Sequence, residues 1–325
     1  MKVIILLAGL GTRLRPHTYS KAKGLLMVAG EPVLAHLLDR FQSLEVEEYI
    51  FIVGHLGEQI EEYVVTNYDL PARFVWQREP KGQAHALHLA REHIDTPFLM
   101  IFSDTLFEAD LAHLGEVTSD GLVFVKEVED PRRFGIVLLE GDRIIRFIEK
   151  PEEPISNLAL VGMYYVVNWP LLMGCVDTLL KEGIQTKGEY YIADAFQLMV
   201  DRGAKLEAVT VDVWQDCGKP ETLLATNRYL LEKGGTEEVE AENSVIIPPV
   251  SIAPTATLRN SIVGPYVSVG GGSVIVDSII RDSIIDEGAY IEGAALEGSL
   301  VGSHVQVRGR LRRLDVGDSS QVELG

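Results

Sequence analysis

The stretch VIILLAGLGTRL, residues 3–14, begins with the unbroken β-branched and aliphatic run Val3–Leu7 and ends in a glycine turn followed by Thr12 and Arg13. A run without polar alternation reads as a strand buried on both faces, the kind found in parallel sheets. Similar runs recur at Tyr49–Val53, Ala72–Trp76, Phe98–Phe102 and Leu122–Val125. Helical patterns separate them. Pro32–Leu44 has proline in its first turn and apolar residues at Val33, Leu34, Leu37, Leu38 and Phe41, and Glu58–Val65 and Gln83–Arg91 behave alike. Alternation of this sort predicts an α/β domain built on a mostly parallel sheet. Ligands of open sheets sit at the carboxyl ends of strands. The loop after Leu7 is one such end, and Ser103-Asp104 after Phe102 is another.

The pattern changes near residue 233. Lys233–Glu242, rich in glycine and then in glutamate, reads as a linker. Beyond it a tetrad recurs: Asn243-Ser-Val-Ile, Asn260-Ser-Ile-Val, Asp277-Ser-Ile-Ile, Asp282-Ser-Ile-Ile and Gly298-Ser-Leu-Val. Aliphatic residues also recur at six-residue steps, as in Ile246, Ile252 and Leu258, or Ile285 and Ile291. Short strands at that period indicate a parallel β-helix of hexapeptide type, in which each coil leans on its neighbours. The competing reading is a small antiparallel β domain. The expected organisation is a domain over residues 1–232, a linker over 233–243 and a β-helix over 244–325.

Bulk composition narrows the function classes. The 325 residues carry 48 Asp plus Glu against 29 Lys plus Arg, a net charge of −19. That acidity disfavours nucleic acid and anionic membrane as partners, but leaves room for a small anion in a locally positive pocket. Two cysteines, Cys175 and Cys217, imply no disulfide framework, which fits a reducing cytoplasm. The short apolar start runs into Thr12-Arg13-Leu14-Arg15-Pro16 rather than a signal-peptide cleavage site, and no run has the length of a membrane span.

The acidity makes the opening loop stand out. No Asp or Glu precedes Glu31, whereas Lys2, Arg13, Arg15, Lys21 and Lys23 all do. Gly9-Leu10-Gly11-Thr12-Arg13-Leu14 is not a dinucleotide fingerprint, because Leu14 stands where the third glycine must pack helix on strand. It is not a Walker loop, since no Gly-Lys-Ser/Thr follows. What remains is a turn whose backbone N–H groups can cradle an anion, with Arg13 as a planar charged fork and Lys23 as a point charge. A merely solvated basic loop is the plainer alternative.

Taken with the segments that follow in order, this loop resembles the signature of the sugar-phosphate nucleotidylyltransferases, also called sugar-nucleotide pyrophosphorylases. The further segments are Gln77-Arg-Glu-Pro-Lys-Gly82, Phe102-Ser103-Asp104, residues 130–166, GEYYIADAF (188–196) and VWQDCGKPETLLATNRYLL (213–231). The likeness is greatest to the long-form thymidylyltransferase branch. It implies a Rossmann-like, mostly parallel sheet flanked by helices, of the nucleotide-diphospho-sugar transferase type, followed by a left-handed parallel β-helix. It also implies a reaction in which a sugar 1-phosphate attacks the α-phosphorus of a nucleoside triphosphate, glucose 1-phosphate and dTTP being the leading pair and UTP or GTP the alternatives. Ala22, Gly24, Met27, Ser103 and Cys217 depart from the family pattern, but no charged group is lost.

By that resemblance Arg13 and Lys23 are the catalytic cations, and Leu7, Gly9, Gly11, Thr12, Gln77 and Gly82 bind the nucleotide. Gly135, Glu149 and Lys150 bind the sugar phosphate, and Asp104 and Asp216 hold Mg²⁺. Both reactants are polyanions. One pair of like unit charges at 4 Å costs ~1 kcal/mol in water and ~4 kcal/mol at an effective dielectric of 20. Charge neutralisation and positioning are therefore the main catalytic tasks, and no side-chain nucleophile is needed. Two other classes compete. One is a non-catalytic regulatory subunit of the same layout; the other makes the β-helix an acyltransferase, for which His304 is the one histidine beyond residue 113. A zinc site at His85 and His88 lacks a third ligand. Arg308, Arg310, Arg312 and Arg313 read as an interface or solvated edge, and the flat sides of stacked coils suit a homo-oligomer.

Overall fold

The aliphatic run at the N-terminus is strand β1 (Lys2–Leu7), in the middle of the sheet and buried along its length. The computed structural model of the protein describes residues 1–153, 155–234 and 241–309. Three further apolar runs lie parallel to β1. They are β2 (Glu48–Val53), β3 (Ala72–Trp76) and β4 (Phe98–Phe102). After β4 the chain adds β5 (Thr105–Glu108), β6 (Gly121–Glu127), β7 (Gly135–Glu140), β8 (Arg143–Glu149), β9 (Leu158–Val166), β10 (Leu206–Thr210) and β11 (Val213–Asp216). The main sheet has nine strands in the order β3-β2-β1-β4-β9-β6-β10-β8-β7. Its first four strands are parallel, and β9 enters antiparallel to both β4 and β6. The sheet is thus more mixed than the early alternation of strand and helix suggests.

The order of the first four strands positions the site. The chain moves outward from β1 to β2 and β3, then crosses back to place β4 on the other side of β1. Adjacent loops at the carboxyl ends of β1 and β4 therefore diverge, and that gap is a topological switch point. Helices α1 (Val33–Asp39), α2 (Gly57–Asn67) and α3 (Gln83–Leu89) make the connections. Helix α1 stops short of the Leu44 expected from its pattern; Arg40, Phe41 and Gln42 continue in tight turns bonded three residues back. Phe41 stays buried in that turn, against Phe107 at 6.3 Å between ring centroids. Later helices are α4 (Trp169–Glu182), α5 (Ile192–Asp201) and α6 (Pro220–Gly234), and α4 and α5 supply the apolar cover over the sheet core around Tyr164 and Phe196.

The chain divides into two compact units. One comprises residues 1–26 and 31–223; the other comprises Met27–Gly30 with the chain from Leu224 onward. The second unit carries a left-handed parallel β-helix of three four-stranded sheets. The repeated tetrad proves to be a corner followed by a strand. Asn243, Asn260 and Asp277 take left-handed backbone conformations with φ of 47°, 49° and 51°. Asn and Asp tolerate that region because their short side chains bond locally. Here they form a ladder, Asn243 Nδ2 to Asn260 Oδ1 at 2.9 Å and Asn260 Nδ2 to Asp277 Oδ1 at 3.0 Å. The serine that follows each corner reaches one coil onward. Ser244, Ser261 and Ser278 accept the backbone N–H of Ser261, Ser278 and Ala294 at 3.0–3.1 Å. The inward residues are those at six-residue steps, among them Val263, Val269, Ile285 and Ile291, all buried. Arg308 lies on the last described strand, paired with Glu292, whereas Arg310, Arg312 and Arg313 fall outside the described residues. Ile285→Ala should destabilise the β-helix by about 2–5 kcal/mol, the usual cost of truncating a buried isoleucine, and urea denaturation of the full chain will show it as an earlier transition.

Candidate active site

Glycine conformation shapes the loop after β1. Gly11 has φ +61°, and a Cβ there would lie 3.0 Å from Thr18 Cγ2 and 3.3 Å from Lys23 Cβ. Thr18 Oγ1 in turn donates to the Gly11 carbonyl at 2.8 Å. The loop is thereby folded back so that residues 9–12 and Lys23 face one cavity. Residues 20–22 are tied from the side by Gln59 of α2, which accepts from the Ala22 N–H and donates to the Ser20 carbonyl, each at 2.8 Å.

That cavity, of about 420 Å³, opens at the switch point and is lined by Gly9, Gly11, Thr12, Lys23, Gln77, Gly82, Phe102, Ser103 and Asp104, with Gln83 and Glu189 beside them. Of the expected nucleotide contacts, Leu7 alone is off the wall. Successive strand side chains point to opposite faces; Leu6 and Ala8 reach the cavity, and the Leu7 side chain packs toward Gly24. Leu7 can then reach a ligand only through its backbone.

Lys23 Nζ is ion-paired to Asp104 Oδ2. Burial alone would raise the Asp104 carboxyl, but Lys23 and then Arg13 outweigh it and hold that carboxyl below the usual carboxylate range. Asp216 comes to the same place through an antiparallel pairing, Asp216 opposite Thr105, and Cys217 N–H donates to the Asp104 carbonyl at 2.8 Å. Burial and the nearby Asp104 charge both push Asp216 upward. Two neighbouring carboxylates, one of them unfavourably charged, present hard oxygen donors that suit a divalent cation. No group of three or more metal-binding side chains occurs among the described residues, so such a cation would draw its other ligands from phosphates and water. Gly218, which no sequence motif marks, also belongs to this cluster. A Cβ at that position would sit 2.7 Å from both Arg13 Nη2 and Asp216 Oδ1, so this glycine lets the arginine lie against the carboxylate.

Gln77 is buried at the end of β3, with Nε2 donating to the Gly82 carbonyl at 3.0 Å and lying 2.9 Å from His85 Nδ1. Burial lowers the His85 pKa, helped by Lys81 and His88, which favours a neutral ring that accepts that bond. His88 bonds to Asp177, so the two histidines serve separate contacts and do not converge. Gly82 has φ +104°, and a Cβ there would fall 2.5 Å from the Tyr190 carbonyl oxygen.

A second cluster lies across the sheet edge. Gly135 pairs with Glu149, and a Cβ on Gly135 would meet Glu149 Oε2 at 2.8 Å. Lys150 Nζ donates to Tyr191 Oη at 3.0 Å and lies 3.3 Å from Glu149 Oε1, while Lys187 Nζ donates to the Lys150 carbonyl at 3.1 Å. Burial raises the Glu149 pKa despite the neighbouring Lys150. The tyrosine partner was not foreseen, although it sits in the GEYYIADAF segment that carries the resemblance.

A switch-point cavity lined by the Lys23–Asp104 pair, with Arg13 and Asp216 meeting next to it, is suited to a polyphosphate. Comparison with known families agrees: residues 2–233 match the model of the nucleotidyl transferase family, and the chain belongs to it. Among characterised relatives, UTP–glucose-1-phosphate uridylyltransferase AglF of Haloferax volcanii is 35% identical over 230 residues, covering 68% of this chain and 93% of that protein. A glucose-1-phosphate thymidylyltransferase of Streptomyces antibioticus is 31% identical, covering 100% of this chain and 99% of that one. The bifunctional protein GlmU of Methanocaldococcus jannaschii is 33% identical over 76% of this chain but 59% of its own length. A crystal structure from Bacillus anthracis, assigned as a glucose-1-phosphate thymidylyltransferase in complex with a sucrose, superposes with a TM-score of 0.62 at 26% identity, over 70% of this chain and 94% of that one. The chain is accordingly an enzyme of sugar-1-phosphate nucleotidyl transfer. No helix among the described residues is long and apolar enough to cross a membrane.

Two outcomes follow from this geometry. Gly82→Ala forces strain worth about 1–3 kcal/mol into the turn, so the KM for the nucleoside triphosphate should rise on the order of tenfold. With its pKa raised, Glu149 takes up its proton at a pH above the ordinary glutamate value of about 4.3 and loses its accepting charge there. If Glu149 accepts from the sugar, the KM for the sugar phosphate should therefore climb on acidification, and Glu149→Gln should lack that limb.

Proposed function

We propose that the protein joins glucose 1-phosphate to dTTP, giving dTDP-glucose and pyrophosphate, with Mg²⁺ as the required ion. The observation that carries this reading is the meeting of Lys23, Arg13, Asp104 and Asp216 beside the cavity that Gln77 and Gly82 close. In the reaction a phosphate oxygen of the sugar 1-phosphate forms a bond to the α-phosphorus, and the bond from that phosphorus to the β-phosphate bridging oxygen breaks. Backbone N–H groups at Gly11 and Thr12 hold the triphosphate. Arg13 braces the α-phosphate and the departing pyrophosphate, where charge accumulates. Lys23 lies between donor and acceptor phosphates and lowers their mutual repulsion. Lys150 reaches the sugar's phosphate, and Glu149, with space left by Gly135, accepts from sugar hydroxyls. A magnesium ion on Asp104 and Asp216 would supply further neutralisation of phosphate charge.

Base placement rests on Gln77. With Nε2 engaged by Gly82 and His85, its carbonyl oxygen is the group left for a base. An acceptor there takes the imino N–H of thymine, uracil or guanine, and equally the amino N–H of cytosine or adenine, so it orients a base without choosing among them. Thymine is preferred because the relative from Streptomyces antibioticus matches this chain from end to end, second unit included. Uracil is the second reading, favoured by the higher identity to the Haloferax enzyme. His304 is exposed at a coil corner, which gives an acyl-transfer reading of the β-helix no support.

Pyrophosphate release should be measured with Mg²⁺ for dTTP, UTP, GTP, CTP and ATP against a panel of sugar 1-phosphates. Fastest turnover is expected for dTTP with glucose 1-phosphate, and preference for another nucleotide would overturn the choice of thymine. Arg13→Ala and Asp104→Asn should each lower kcat by about 10²–10³-fold, the range for losing one preorganised electrostatic contact. Undiminished turnover in either variant would remove that residue from the mechanism.

A further inference from the structure

Strand β3 runs out into Gln77, which is 6% exposed and whose backbone N–H donates to the Val53 carbonyl at 2.8 Å. Its side-chain amide meets two neighbours of different chemistry. The Gly82 carbonyl, which also takes the Ala86 N–H at 3.1 Å, can only accept. The end of the amide that lies 3.0 Å from it is therefore the NH₂. The same nitrogen stands 2.9 Å from His85 Nδ1. An amide nitrogen offers no lone pair, so Nδ1 must be the acceptor and the ring proton must sit on Nε2. One hydrogen of the NH₂ goes to Gly82 and the other to His85, which leaves Oε1 for the cavity that Gln77 lines. His85 is not on that wall, which α3 meets through Gln83 and Ala86.

A second proton on the ring reverses this arrangement. An imidazolium carries an N–H at both nitrogens, so Nδ1–H would point at the NH₂, donor against donor. The amide cannot answer by turning over, because Oε1 would then face the Gly82 carbonyl oxygen. The surroundings keep the ring neutral. Burial lowers the His85 pKa, and Lys81 and His88 act in the same sense. Glu79 opposes them but is ion-paired to Lys81 at 2.5 Å. Tyr190, bonded through its backbone to Lys81 and Ala84, acts on Lys81. From α4, Asp177 bonds to His88 and Arg91. From α5, Asp194 is engaged with Thr186 and Glu149.

The geometry points to His85 as a positioning residue for the nucleobase: its unprotonated Nδ1 holds the Gln77 amide with Oε1 presented to the base, and uptake of a proton there releases the hold. The inference rests on the reading of Gln77 as the group that meets the base.

The test is the KM for the nucleoside triphosphate from about pH 5 to pH 8, on the full chain with Mg²⁺ and the best substrate pair. In the native chain this KM should rise on acidification below the ordinary histidine value of about 6.5, where the ring takes its second proton. His85→Asn places Oδ1, an acceptor that does not titrate, where Nδ1 stood. It should recover most of the affinity and lose that limb. Protonation of the triphosphate affects every variant alike, so the readout is the ratio of native to asparagine KM. His85→Phe keeps the bulk and leaves the buried N–H unpaired. It should raise the KM about three- to tenfold across the range, the effect of one hydrogen bond, with kcat within about twofold because the base is held alike in ground and transition states. Nitrogen-15 NMR of the ring at about pH 8 should show Nδ1 bare and Nε2 protonated. An acid limb of equal size in His85→Asn, an unchanged KM in folded His85→Phe, or a proton on Nδ1 would each overturn the inference. The asparagine profile and the NMR decide it if the phenylalanine variant does not fold. Gln77→Ala keeps the two ideas apart: an unchanged KM there removes the base contact itself, whereas a raised KM there beside an unchanged one in His85→Phe removes only the part given to His85.

Discussion

The ion pair between Lys23 and Asp104 is the contact on which the geometry of the candidate site depends. It joins the long loop after β1 to the carboxyl end of β4 across the switch point. The two strands are neighbours in the sheet but far apart in sequence, so their ends would otherwise be separate loops. The pair also sets the protonation of the site. Asp104 is half-buried, yet its charge is retained because Lys23 and Arg13 face it. Asp216, brought in by the β5–β11 pairing, feels the opposite bias. One carboxylate is therefore fixed as an anion while its neighbour waits for a positive charge, an arrangement that suits cation capture when phosphates arrive.

The roles proposed for Lys23 and Arg13 reconcile a net charge of −19 with polyanionic substrates. Acidic residues dominate the composition, but the first acidic residue comes after the opening loop, where Lys23 faces the cavity and Arg13 stands exposed against Gly218 and Asp216. At physiological ionic strength charges more than about 8 Å apart are largely screened. What a triphosphate meets in the cavity is local. Arg13, Lys23 and the backbone amides determine the field there, and the acidic surface beyond has little say.

Much of this could be read from the chain. The unbroken runs at β1 and β4 announced parallel strands, and Gly11, Gln77, Gly82 and Asp104 line one cavity as the motif order implied. The β-helix followed from its six-residue steps. Three features did not follow, for different physical reasons. The placement of β9 between β4 and β6 is a matter of long-range pairing, and an apolar strand buried on both faces reads alike in either direction. The parity of Leu7 depends on which face of β1 meets the cavity, which a run of uniform aliphatics does not mark. Assignment of Met27–Gly30 to the second unit depends on contacts with residues some two hundred positions away in the chain, such as Ala29 with Asn227. No local period records such contacts.

The serine ladder of the β-helix bears on how this architecture changes over generations. Each corner serine bonds to the backbone of the next coil, and each inward aliphatic stacks on its counterpart above. A coil therefore asks of its neighbour only a generic surface, a backbone amide and an apolar side chain. Duplication or deletion of a whole coil in the gene leaves every remaining junction chemically the same. The number of coils could change in such steps without touching Ser251, Ser268 or Tyr266, in the coils that hold the Met27–Gly30 turn.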